Sequence, residues 1–168
     1  TLINCQFTGV VTGDSEVGGI VGRNESEGII DHSTARAIVT GKSSTGGIAG
    51  YNLGAITGCT NVGSINTEYQ EASLDTDGFT AKMVDQINNK MAAADNDATN
   101  SVTNVATDTG GIAGRSSGMI LTSVNTGTVG YEHVGYNVGG IVGRTDGLVS
   151  GCVNQGHVLG RKDVGGIA

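Results

Sequence analysis

The sequence predicts an all-β chain, wound as a parallel β-helix (a solenoid) of about five coils and interrupted by one amphipathic α-helix. Three observations predict it. A glycine-rich pentad returns at near-constant spacing, the composition is short of large rings and has no proline, and the repeat breaks off over one acidic stretch.

The pentad occurs as Gly18-Gly19-Ile20-Val21-Gly22, Gly46-Gly47-Ile48-Ala49-Gly50, Gly110-Gly111-Ile112-Ala113-Gly114 and Gly139-Gly140-Ile141-Val142-Gly143, then as Gly165-Gly166-Ile167-Ala168. Successive copies lie 28, 64, 29 and 26 residues apart, so one interval holds an insertion. A glycine follows each full pentad at Gly28, Gly54, Gly118 and Gly147. Five residues further comes a small side chain (Ser33, Cys59, Ser123, Cys152), and six beyond that a β-branched one (Val39, Ile65, Val129, Val158). Cys5, Gly9 and Val11 fit the same frame. The chain reads as a single repeat domain over 1–168, with repeats at 1–17 (partial), 18–45, 46–109 (with an insertion over 68–107), 110–138, 139–164 and 165–168 (partial). It begins and ends inside a repeat, so it reads as a segment with flanking repeats on either side and with strand edges able to pair end to end.

Thirty glycines, no proline, no tryptophan and 4% aromatic residues leave few large anchors for a globular core. Segments of Gly, Val, Ile and Thr this short and this broken by glycine suit strands rather than helices. One repeat cannot bury an apolar face alone, but stacked copies can, with rungs about 4.8 Å apart. The column Ile20, Ile48, Ile112, Ile141 and Ile167 is then expected inside, with glycines supplying positive φ at the corners. Cys5, Cys59 and Cys152 share one column, separated by Ser33 and Ser123. At about 9.6 Å per two rungs the cysteines are too far apart for a disulfide, which tolerates about 7 Å between Cα atoms.

The insertion has different chemistry. Residues 68–108 hold eight acids and two bases, which is −6 of the chain's net charge of −7. Within it Phe79, Met83, Ile87 and Met91 recur every fourth residue. They predict a helix over 81–94 capped by Thr80, its apolar stripe lying on the solenoid flank or docking a partner.

Charge and motifs exclude most activities. A net charge of −7 argues against nucleic acid as a partner, and no apolar run has the length of a membrane span. No two glycines are separated by a single residue, which closes the G-x-G-x-x-G reading. His32, His133 and His157 form no H-E-x-x-H pair, and the cysteines form no C-x-x-C pair. Asp75-Thr76-Asp77-Gly78 and Asp95-Asn96-Asp97 lack the full ligand set of a calcium loop and read as solvated acids. The expectation is therefore no catalytic residue, no metal and no cofactor. One column stands out. Arg23, Tyr51, Arg115 and Arg144 each follow a pentad, and stacked they form a candidate ligand-binding ridge. Either the arginines stack on Tyr51 and pair with acids such as Glu25 and Asp146, or they offer planar forks to an anion, a cell-wall polymer or the acidic insertion.

The core Gly19-Ile20-Val21-Gly22, repeated at Gly47 and Gly140, with Cys59-Thr60-Asn61-Val62-Gly63 and Cys152-Val153-Asn154-Gln155-Gly156 downstream, resembles the GLUG repeats. The resemblance covers most of the chain outside residues 67–107. It implies a surface-displayed module of a large bacterial cell-surface protein, extracellular and of Gram-positive type. Such repeats also occur in the non-catalytic parts of M26 immunoglobulin-A peptidases. A non-enzymatic stalk or adhesin module is the expectation, with a host protein, a glycan or a cell-wall polymer as partner. The alternatives are a non-catalytic region of an extracellular hydrolase such as a metallopeptidase, and then a polysaccharide-degrading β-helix. The last requires acids clustered on a groove face, whereas here they concentrate in the insertion.

Overall fold

A computed structural model describes residues 1–68 and 106–168. Contacts divide the chain into two compact units, Thr1–Tyr69 with Ala106–Ala168, and Gln70–Val105. The second unit, and with it the helix expected over 81–94, lies outside the described residues; no helix occurs among the residues described.

The first unit is a parallel β-solenoid of about five turns. The first coil supplies β1 (Leu2–Ile3) and β2 (Gln6–Thr12). The second supplies β3 (Ser15–Gly18), β4 (Val21–Asn24), β5 (Ile29–Asp31) and β6 (Thr34–Thr40). The third has β7 (Ser43–Gly46), β8 (Ala49–Asn52), β9 (Ala55–Thr57), β10 (Thr60–Asn61) and β11 (Ser64–Ile65). The fourth has β12 (Thr107–Gly110), β13 (Ala113–Ser116), β14 (Met119–Leu121) and β15 (Val124–Asn125). The fifth has β16 (Tyr136–Gly139), β17 (Val142–Thr145), β18 (Leu148–Ser150) and β19 (Val153–Asn154), before β20 (Lys162–Gly165).

Corresponding strands stack into four sheets, the faces of the solenoid: β3-β7-β12-β16-β20, β4-β8-β13-β17, β1-β5-β9-β14-β18, and β2-β6-β10-β15-β19 with β11 beside β6. The register holds across the insertion. Thr107 pairs with Ser43 and Gly110 with Gly46, just as Ser15 pairs with Ser43 and Gly18 with Gly46 in the preceding coil. The frame therefore resumes by Thr107.

The isoleucine column lies at the corner between the first two faces rather than within a strand. Its backbone runs as a ladder from Ile20 N to Ile48 O (3.0 Å), Ile48 N to Ile112 O (2.9 Å), Ile112 N to Ile141 O (2.8 Å) and Ile141 N to Ile167 O (2.9 Å). Ile48, Ile112 and Ile141 are fully buried; Ile20 is half-buried and Ile167 exposed at the two ends of the column. Ile48, Ile112 and Ile141, with Ile20 packed against them, share a core with Ile30, Ile56, Ile120 and Cys59, while Val39, Ile65 and Val129 build a second core nearer the fourth face.

The corner glycines act differently from the expectation. Positive φ falls mostly on other residues, as in the column Glu16, Ser44, Asp108, Asn137 and Asp163, all between 51° and 54°. The pentad glycines serve close approach instead. A Cβ on Gly111 would lie 2.2 Å from the carbonyl oxygen of Gly140 and 2.4 Å from Cγ of Asn125. Only a residue without Cβ lets the coils stack at that corner.

Candidate functional site

The ridge forms on the second face. Cross-strand register sets Arg23 beside Tyr51, Tyr51 beside Arg115, and Arg115 beside Arg144, on β4, β8, β13 and β17. Strand alternation turns these four side chains outward and their successors inward. Behind them Asn24 Nδ2 donates to Asn52 Oδ1 at 2.7 Å, and Asn52 Nδ2 donates to Ser116 Oγ at 3.1 Å. This buried chain fixes the strands that carry the ridge.

The ridge is uneven in charge. Arg23 is satisfied by two carboxylates, its Nη1 3.0 Å from Glu16 Oε1 and its Nε 2.9 Å from Glu25 Oε1. Tyr51 is covered on its ring by Arg23 (5.0 Å from Cζ to the centroid) and Arg115 (5.3 Å), a pair of cation–π contacts. Its hydroxyl lies 3.2 Å from Ser117 Oγ. Ser117 in turn stands beside Asp146. Hydrogen bonding from its hydroxyl, and the more distant charges of Arg115 and Arg144, hold the Asp146 carboxyl below the usual carboxylate range. Arg144 is exposed and Arg115 half-buried, and neither makes a hydrogen bond or ion pair among the described residues.

The other residues considered from sequence stay apart. His32 sits 2.9 Å from its neighbour Asp31 and His133 3.4 Å from its neighbour Glu132, both exposed; His157 is exposed on the fourth face. The cysteine column is a ladder in which serines intervene: Cys5 N donates to Ser33 Oγ (3.1 Å), Ser33 N to Cys59 Sγ (3.4 Å) and Cys59 N to Ser123 Oγ (3.2 Å). All three thiols are free, and burial pushes the Cys59 thiol up. The two calcium-like segments, Asp75–Gly78 and Asp95–Asp97, lie outside the described residues.

A further ladder escaped the sequence reading. Asn61 Nδ2 donates to Asn125 Oδ1 and Asn125 Nδ2 to Asn154 Oδ1, each at 2.8 Å. Each of the three also closes a turn with the glycine two residues on, donating to its carbonyl and accepting from its amide. The signal was present as a recurrent Asn-x-Gly: Asn61-Val62-Gly63, Asn125-Thr126-Gly127 and Asn154-Gln155-Gly156.

Stacked coils, inward amide ladders and an outward ridge define a β-solenoid repeat module. The family model described as the GLUG motif matches residues 13–40, a finding consistent with a GLUG-repeat protein. That match spans one turn of the solenoid, from just before β3 to the end of β6. No curated protein and no solved structure matches the chain. Among the described residues no helix is long and apolar enough to cross a membrane.

Proposed function

We propose that the chain is a non-enzymatic structural module of a bacterial cell-surface protein, a rigid spacer that carries binding groups away from the surface. The observation that carries this reading is the continuity of register. The same residue columns meet in every coil, and they do so on both sides of an insertion that separates two pentads by 64 residues. Such one-dimensional stacking transmits length. Five rungs at about 4.8 Å correspond to about 24 Å of reach. The same role would serve within the non-catalytic part of an extracellular hydrolase.

The test places the chain between a surface anchor and a fluorescent head and measures the head's height by energy transfer. Replacement by an unrelated solenoid with the same number of coils should preserve that height, and a flexible glycine-serine linker of equal residue count should not. In parallel the chain is incubated with polysaccharides and host glycoproteins. New reducing ends or peptide termini would overturn the non-enzymatic reading, and a height matching that of the flexible linker would overturn the spacer reading.

A further inference from the structure

The ridge has two unlike ends, and the difference assigns a ligand class to one of them. At the Arg23 end, Glu16 and Glu25 satisfy the guanidinium directly. Tyr51 offers no free ring face for stacking, since Arg23 and Arg115 cover it. At the other end Arg115 and Arg144 are direct cross-strand neighbours, one rung apart at about 4.8 Å. Like charges in directly opposed positions repel. Elsewhere in the column that repulsion is avoided because Tyr51 stands between Arg23 and Arg115. Here it is left in place: among the described residues Asp146 is the countercharge beside them, and neither guanidinium is hydrogen-bonded.

We infer that Arg115 and Arg144 form an oxyanion site for the sulfate or phosphate ester groups of an anionic polysaccharide. A guanidinium is a planar fork of donors matched to such oxygens. Two forks one rung apart suit a tetrahedral group, whose free oxygens, three on a sulfate monoester and two on a phosphate diester, point in different directions and can be shared between them. The two oxygens of a carboxylate lie in one plane with its carbon and fill one fork. The Ser117 hydroxyl and the Asp146 carboxylate border the site, so Asp146 competes with the incoming anion. Binding is local rather than steered by overall charge, since the chain as a whole carries −7. It is therefore weak for a single ester and sensitive to salt. The proposal goes beyond the spacer reading, and neither depends on the other: the height measurement above is indifferent to this site.

The experiment uses the full chain on three immobilised polymers, dextran sulfate, poly(glycerol phosphate) and polygalacturonate, with neutral dextran as the blank. Binding to dextran sulfate, to poly(glycerol phosphate) or to both is expected, and the arm that binds tells sulfate from phosphate. Arg144→Gln and Arg115→Gln should each lower that affinity by about tenfold, the size of losing charge-assisted hydrogen bonds. Arg23→Gln, at the neutralised end, should change it by less than about twofold, and Asp146→Asn should raise it. Arg144 is exposed, so Arg144→Gln should keep the wild-type melting temperature even if Arg115→Gln, which also loses the Tyr51 contact, does not. The proposal is overturned by binding to neither ester polymer, by equal binding to polygalacturonate, or by equal losses in Arg23→Gln and Arg144→Gln.

Discussion

Substitution of Asn125 by alanine tests whether amide ladders or apolar columns hold adjacent coils in register. Asn125 is fully buried, and its amide makes four hydrogen bonds. Two run along the ladder, from Asn61 and to Asn154. The other two close the turn at Gly127, at 2.9 Å to its carbonyl and 3.2 Å from its amide. At about 1 kcal/mol net per bond the upper limit is about 4 kcal/mol. Part of that is recovered, because Asn61 still donates to Gly63 and Asn154 still accepts from Gly156. A loss of about 3 kcal/mol is expected. With a urea slope of about 2 kcal/mol/M, the unfolding midpoint should fall by about 1.5 M. Asn154→Ala is the comparator. It removes three bonds from a half-buried side chain at the end of the ladder, so its loss should be about half as large. The assay is urea unfolding followed by circular dichroism, with the slope checked for constancy because stacked repeats can lose cooperativity. A midpoint change under about 0.3 M for Asn125→Ala, or one no larger than that of Asn154→Ala, would refute the ladder argument.

The isosteric variant Asn125→Asp adds a pH test. It keeps the volume but sets a carboxylate oxygen against the Asn154 carbonyl oxygen in a buried site, so the new acid should have a raised pKa when folded. A raised folded pKa means that the variant is least impaired at low pH, where the group is protonated and can donate to Asn154. Its deficit should then grow as pH rises above about 4.

Other outcomes follow from the same lattice. Gly111→Ala should unfold the chain or cost several kcal/mol, about 3 or more, because the added carbon would meet backbone at 2.2 Å, whereas Gly166→Ala meets nothing within 4 Å and should be neutral in the same melt. Thr45→Val should stabilise by about 1 kcal/mol, since Thr45 Oγ1 is buried without a partner and the same column carries Val17 and Val138. Thr109→Val should destabilise by a similar amount, about 1 kcal/mol, because Thr109 accepts from Asn66 at 3.0 Å. Thiol titration should find three reactive groups in denaturant, with Cys59 silent in the native chain.

Sequence reading reached the columns whose residues recur in kind. Isoleucine, the Cys/Ser alternation and Val39-Ile65-Val129-Val158 were legible because burial at a fixed register leaves a narrow choice of side chain. The first face was missed for the opposite reason. Its strands read Ser-Glu-Val-Gly, Ser-Ser-Thr-Gly and Thr-Asp-Thr-Gly, polar sequences of poor strand propensity with a left-handed residue inside each. Position in the coil, rather than local preference, makes them strands. The asparagine ladder was not legible: each Asn closes a local turn with the glycine two residues on, but its remaining donor and acceptor point along the stack, where only neighbouring coils reveal a partner. The ridge was legible as a column. The division of its charge was not, because Glu16 lies seven residues before Arg23 and in a different strand.

The insertion shows what such a lattice tolerates. Asn66 occupies the register position of Thr40, since Ile65 pairs with Val39, and Thr107 occupies that of Ser43. Two residues separate the equivalent positions in the second coil. Deleting 68–105 leaves Thr67 and Ala106 as those two, and restores a pentad spacing of 26 residues, the interval already present between Gly139 and Gly165. The join therefore asks for no new loop geometry. The shortened chain should keep the far-ultraviolet signal of the solenoid and its urea midpoint, with a loss of less than about 1 kcal/mol, and loop-closure entropy favours the shorter connection. Loss of the β signal on deletion would mean that the coils on either side depend on residues 68–105, and the continuity of register would then be a consequence of the insertion rather than independent of it.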